Sequence, residues 1–316
     1  MPAPTIVILF FIKPAENDKD IYTVYKTSVT MLTKKEWFKK INKLKTEKTL
    51  KNKNSIKGKL KETVIRAIGK NTPEKKFGIF FSGGIDSTLI AYVCKKNGAD
   101  FICYSVGLEN SKDLEWAKKT AKKLKLKLKT KTFSLDEAEK IIKNVAKILQ
   151  TPDVVNVGVG CVVYSAAALA KKDNMNVFFS GLGSEEIFAG YERHAQAKNV
   201  NKECWKGLRN MHERDLIRDF KISQRLKIKI LTPFLEDELI KFAMQIPGKY
   251  KINKENKKII LREIAEELGI PKEFAWRKKI AAQYGSGFDR AIKKLAKKNG
   301  FQYKKDYLEY LLRHSH

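Results

Sequence analysis

Cysteine is scarce in this 316-residue chain. The four present, Cys94, Cys103, Cys161 and Cys204, form no CxxC pair, and the four histidines are not at metal-ligand spacing. This excludes a zinc ribbon or an iron–sulfur cluster and predicts free, buried thiols. Long apolar runs are missing too. The longest, Ile6–Ile12, has seven residues, whereas a membrane-spanning helix needs roughly 20. The N-terminus has neither a basic n-region nor a small-residue cleavage site, so a cytoplasmic location and no membrane partner are expected. Acidic residues are in deficit, 35 against 65 lysines and arginines, a net charge of +30. Such a surplus attracts polyanions, but a heat-adapted, lysine-rich surface gives the same balance, so charge alone does not choose a partner. No GxxxxGK[ST] is present, which excludes a Walker A loop, and the chain has no internal repeat.

What is present is enough apolar material for a large core: 43% hydrophobic and 10% aromatic residues. Residues 4–12 and 20–32 read as two strands split by the polar turn 15–18. Residues 34–61 hold twelve lysines against two glutamates; helical spacing falls at 37–44, a loop at 48–53, and a helix at about 55–69 with Ser55 as N-cap. From residue 77 strands and helices alternate: strands at 77–81, 101–106, 128–133 and 177–179, helices near 87–97, 113–124, 136–149 and 161–171. That alternation implies parallel βαβ units. Beyond Glu185 the chain reads as largely helical, with breaks at Pro233, Pro247-Gly248, Gly269–Pro271 and Gly285–Gly287.

The chemistry concentrates where strand 77–81 runs into Ser82-Gly83-Gly84-Ile85-Asp86-Ser87 and then a helix. Two glycines allow a sharp turn that aims backbone N–H groups at a phosphate. Ser82 and Ser87 add hydroxyls, and the helix N-terminus favours an anion. Asp86 would repel bare phosphate, so its natural role is as a Mg²⁺ ligand; the plainer alternative is a tight turn with Asp86 as a helix cap. A second glycine-rich turn, Ser180-Gly181-Leu182-Gly183-Ser184-Glu185-Glu186, again follows an apolar strand, at the strand end where open α/β sheets place ligands.

SGGxDS is the signature of N-type PP-loop ATP pyrophosphatases, and residues 58–288 resemble one branch, the asparagine synthetase and β-lactam synthetase family. Residues 180–191 are similar to its SGEGSDEVFGGY, with Glu185 in place of the family's aspartate and Leu182 in place of a glutamate tied to amide formation. Leu231–Asp237 resembles R-x-PFLD, Lys257–Glu263 resembles K-x-x-L-R-E, Trp276–Lys279 resembles WRQK, and 282–287 resembles a QFSDG loop expected to be mobile over the site. The resemblance implies an α/β fold: a PP-loop (adenine nucleotide α-hydrolase-like) parallel sheet flanked by helices, with a mostly helical C-terminal part, in a domain at 55–316. Residues 1–54, a small N-terminal β and basic extension, lie outside the resemblance and suggest no function of their own. It implies ATP and Mg²⁺ as cofactors, with Asp86 and Glu185 as metal ligands. Ser82, Gly83, Gly84, Ser87, Ser180, Gly181 and Gly183 would hold the nucleotide phosphates, and Val106 and Gly107 would lie against adenine. Lys279 would reach the phosphates in the transition state. Asp113 reads as a helix cap and His194 as a surface residue.

The reaction implied is adenylation of a substrate carboxylate with release of pyrophosphate, followed by attack of ammonia or an amine and loss of AMP. Met1-Pro2-Ala3 lacks a cysteine after the initiator methionine, and residues 1–54 are too few for a glutaminase domain, so nitrogen is expected from solution or from a separate partner subunit. Two alternatives stay open: a PP-loop tRNA-modifying enzyme that adenylates a base, suited by the net charge although no CxxC pair is present, and a non-catalytic nucleotide-binding homologue marked by Leu182.

Overall fold

The computed structural model describes residues 22–25, 28–278 and 280–314. The strand expected over 4–12 lies outside them. The one expected over 20–32 is instead two short strands, β1 (Tyr22–Tyr25) and β2 (Ser28–Met31), paired antiparallel with Tyr25 opposite Ser28. Folding the segment back on itself pairs backbone groups that a single edge strand would leave open.

Two helices follow, α1 (Lys34–Leu44) and α2 (Lys53–Asn71). Thr33 and Glu36 form a reciprocal capping box on α1, which satisfies two of its free N–H groups. The cap of α2 is Asn52, not Ser55: Ser55 donates its N–H to the Asn52 side chain. The alternating region then runs β3 (Phe77–Phe80), α3 (Ile85–Lys96), β4 (Phe101–Leu108), α4 (Lys112–Lys123), β5 (Leu128–Phe133), α5 (Leu135–Leu149), α6 (Val154–Lys171) and β6 (Val177–Phe179). The sheet is wholly parallel in the order β5-β4-β3-β6-β7. Its last member, β7 (Lys229–Leu231), sits in the region expected to be largely helical. Three residues are too few to show period-2 alternation; only its pairing with β6 makes it a strand.

The strand order reverses between β3 and β6. The chain leaves β3 toward β4 and β5 on one side, and returns to β6 and β7 on the other. Such a switch point opens a crevice at the strand C-termini, and both glycine-rich turns leave from those two strands.

The remaining helices are α7 (Ser184–Ile187), α8 (Glu192–Ala195), α9 (Val200–Met211), which passes through a π-turn over His212–Leu216 into α10 (Ile217–Leu226), then α11 (Asp237–Ala243), α12 (Gly248–Lys251), α13 (Ile259–Glu267), α14 (Lys272–Ala275), α15 (Ala282–Gly285), α16 (Phe288–Lys298) and α17 (Lys304–Arg313). One core joins α1, α2, α3, α9, α11 and α13: Trp37, Leu60, Leu89, Leu208, Phe234 and Leu261 are all fully buried in it. A second gathers α5, α6, α16 and α17. All four cysteines are free and buried, as expected. Helix α6 starts seven residues before the expected Cys161, because Gly158 and Gly160 mask its periodicity. A Cβ on Gly158 would lie 2.8 Å from that of Gln283, so glycine admits α15 against the helix. Among the described residues α6 alone is long and apolar enough to cross a membrane; here it packs against β4, α5, α10 and α16.

Candidate active site

The first turn is shaped by its neighbours as much as by its own sequence. Gly83 has φ +65°, and a Cβ there would meet the Trp116 backbone of α4 at 2.8 Å, so only glycine fits. Gly84 donates its N–H to Ser82 Oγ (3.3 Å), while Ser87 Oγ accepts from Ser82 N–H (3.3 Å) and donates to the Gly84 carbonyl (3.2 Å). Gly84 is the N-cap of α3 and supplies no side chain. No side chain caps this twelve-residue helix, and a helix N-terminus of this kind favours an anion.

The second turn meets the first. Ser180 is held by β7, its N–H donating to the Leu231 carbonyl at 2.9 Å. Gly181 packs on Asp86, where an added Cβ would come within 2.8 Å of the Asp86 Cβ, and Gly183 (φ +95°) packs on Leu235. Ser184 Oγ donates to Asp86 Oδ1 at 2.5 Å. Asp86 does not act as a helix cap. Its carboxylate and that of Glu185 converge on one buried ammonium, Lys258 Nζ, at 2.7 and 2.8 Å from the two Asp86 oxygens and 2.9 Å from Glu185 Oε1. Burial opposes that charge, but Asp86 and Glu185 outweigh it and hold Lys258 above the ordinary lysine range. Gly190 makes room for Glu185, since a Cβ there would overlap its Oε2.

A second layer braces this arrangement. Arg277, buried, donates to the Ser82 carbonyl (2.7 Å) and pairs with Asp113 (2.8 Å). Asp113 is therefore the partner of an arginine rather than the cap of α4, which is Ser111. Arg262 donates to the carbonyls of Ala275 and Arg277, tying α13 to the segment that carries Arg277. Residues 282–287 are held down rather than loose: Ser111 Oγ donates to the Gly285 carbonyl (2.9 Å) and Leu108 N–H to that of Ser286 (2.8 Å). Gly107 lies beneath Ser111 and Ser286. Tyr104 accepts from Phe81 and Leu108 donates to Ser286 on the same edge of β4, so Val106 between them directs its N–H and C=O there, beyond the point where β3 has turned away.

The two adjacent acids of the second turn diverge. Glu186 is fully buried and pairs with Arg214 at 2.9 Å; burial and then the nearby Asp215 charge push its carboxyl up to about 7. His194, expected at the surface, is fully buried and accepts the Tyr191 N–H at Nδ1 (3.1 Å). Four-residue α8 is too short to show which side faces inward, and α9 covers it. Leu182 packs against the main core. Lys279 lies outside the described residues. Lys258 and Arg277 were not assigned roles from sequence: both stand within family-like blocks, yet in a chain with 65 basic residues neither charge draws notice.

With this geometry in view, residues 58–206 and 195–315 match the asparagine synthase family model. The chain belongs to the asparagine synthase family. It is 33% identical over 320 residues to a chain named asparagine synthetase (glutamine-hydrolysing) 1 in Methanocaldococcus jannaschii, covering 88% of this chain and 58% of that one. It is 27% identical over 256 residues to asparagine synthetase B (glutamine-hydrolysing) of Escherichia coli K12, covering 75% and 46%. The chain thus spans about half the length of these relatives. Among solved structures, NMN synthetase from Francisella tularensis aligns with a TM-score of 0.38 at 15% identity, covering 84% of this chain and 95% of that one.

The site formed where the two turns meet has donors that suit magnesium. Asp86 and Glu185 offer only oxygen, and they already face one cationic centre. Among the described residues no cluster of three or more His, Cys, Asp or Glu could hold a metal alone. Phosphate oxygens and water would complete the near-octahedral shell that Mg²⁺ demands.

Proposed function

We propose that this chain is an ATP-dependent, AMP-forming ligase that adenylates a substrate carboxylate and passes the acyl group to ammonia or an amine. The observation that carries the reading is the convergence of Asp86 and Glu185, from two glycine-rich turns at the switch point, on a single cation position beside the uncapped N-terminus of α3. The N-terminal turn of α3, with Ser82 and Ser87, holds the phosphates, while Arg277 keeps the Ser82 carbonyl and hence the turn in place. Val106 and Gly107 line the base. Magnesium, when bound by Asp86 and Glu185, offsets charge on the phosphates. The carboxylate oxygen attacks the α-phosphorus as pyrophosphate leaves; nitrogen then attacks the acyl carbon and AMP leaves. Lys279 is assigned to the phosphates as a mobile point charge. Confinement of both steps in one pocket supplies much of the rate.

Leu182 puts an apolar side chain where the family glutamate would stand, so deprotonation of the attacking nitrogen falls to other groups. The acceptor carboxylate is best sought by a screen with ammonia as nitrogen donor, aspartate first. With ¹⁸O in the acceptor carboxylate, the reading requires AMP and pyrophosphate as products and one ¹⁸O in AMP. Formation of ADP and inorganic phosphate, or AMP without label, would overturn it.

A further inference from the structure

A separate feature lies on the far side of α9. The connection 45–52, the outer face of α1 and the N-terminal part of α9 enclose a trough of about 1690 Å³, larger than the roughly 300–1,000 Å³ of small-molecule pockets. Eight of its lining side chains are lysine or arginine and three are glutamate. Two of the glutamates are already engaged: Glu213 with Lys34 at 2.7 Å, Glu203 with Arg193 at 3.3 Å. Lys45, Lys48, Lys198 and Lys202 form no salt bridge among the described residues, so their charge is uncompensated.

We propose that this trough binds a single-stranded RNA segment through its phosphate backbone. Lys202, Trp205, Lys206 and Arg209 follow helical spacing and line one face of α9, so cations alternate with an aromatic plate. Phe38 supplies a second plate from α1, with the Arg209 guanidinium 4.6 Å from its ring centre. Free lysines along a groove with half-buried aromatics in its wall are what a single strand requires: point charges that follow phosphates and flat surfaces on which bases stack. A membrane surface suits it poorly, because none of the exposed large apolar side chains lines the trough. On its opposite face α9 packs Gly207 near Glu186, Arg193 and His194, so one helix separates the trough from the second glycine-rich turn.

The test is fluorescence anisotropy of the full chain with a labelled, mixed-sequence single-stranded oligoribonucleotide over a range of salt. Two variants are compared: Lys45→Glu/Lys48→Glu/Lys198→Glu/Lys202→Glu, and a control with the same charge change at the exposed Lys122, Lys123, Lys293 and Lys294. The proposal expects the trough variant to bind at least ~10-fold more weakly, with a log–log salt slope shallower by roughly 3, at about 0.7 for each phosphate that is no longer neutralised. The control should keep most of the slope, and Trp205→Ala should weaken binding while leaving the slope unchanged. Thermal melts of each variant confirm the fold. Equal weakening in both quadruple variants would assign binding to the overall +30 field. Competition by polyglutamate or phosphatidylserine vesicles as strong as by unlabelled RNA would assign the trough to another class of partner. Either result overturns the proposal.

Discussion

Lys258 bonds to two acids through three oxygen atoms while its own side chain is only 4% exposed. Removing one member of such a buried set leaves the others uncompensated, typically at a cost of about 3–5 kcal/mol. Lys258→Met is expected to lower stability by about 3 kcal/mol in urea unfolding, the lower end of that range. If Asp86 and Glu185 are magnesium ligands, Mg²⁺ should restore more stability to this variant than it adds to the parent chain. An equal effect on both would sink the metal assignment. Asp86 drew notice from its own turn, because a carboxylate on a glycine-rich strand–helix turn suits a cation; Glu185 drew it only through the resemblance, as the residue standing in for the family's aspartate. The identity of the cation that sits there, a lysine 172 residues from Asp86 in sequence, was not legible, because no local pattern records a pairing at that separation.

Among the elements, α8 shows what happens when one is too short to announce its orientation. Its cap depends on the unprotonated Nδ1 of His194, which accepts the Tyr191 N–H. Burial, followed by the charge of Arg193, lowers the His194 pKa from 6.5 to about 3. The unfolded chain takes up this proton near 6.5 and the folded chain near 3, so between those values the unfolded state binds more protons and stability falls as pH falls. The His194 ring resonances in NMR should therefore not titrate between about pH 8 and 5, while unfolding free energy declines on acidification below about 6.5. A His194 midpoint near 6.5 would refute the burial of this ring. Other elements were readable: β5 and the helices between the strands display several alternations or turns, and β3 and β4 are apolar runs set between those helices; all fall within a few residues of expectation. β7 did not, for its three residues acquire meaning only from β6 alongside.

Across the whole molecule, the lysine-rich N-terminal segment is joined to the nucleotide-handling part through a shared core. Trp37 of α1 is fully buried and its Nε1 donates to the Leu208 carbonyl of α9 at 2.9 Å. Trp37→Ala should cost about 3–5 kcal/mol, as large-to-small changes of a buried aromatic do, and circular dichroism and Trp fluorescence should report one coincident transition at lower temperature. A separate early melting of α1, with the rest unfolding as before, would show that it docks without contributing to the common core. The parallel sheet and its switch point could be anticipated from alternation and from two glycine-rich strand ends. The union of α1 with α9 could not, because a tryptophan among twelve lysines reads equally well as a solvated amphipathic helix.

Lys258 is also attached. A free ion that leaves a pair of carboxylates leaves no trace in the backbone, but an ammonium fixed to the residue that precedes α13, in a left-handed conformation (φ +57°), can depart only by carrying its chain along. Arg262, one turn further on, is bonded to the carbonyls of Ala275 and Arg277, and Arg277 grips the first turn. Exchange of this ammonium for any other cation would thus be a mechanical event as well as an electrostatic one, pulling on the same lever that holds the first glycine-rich turn.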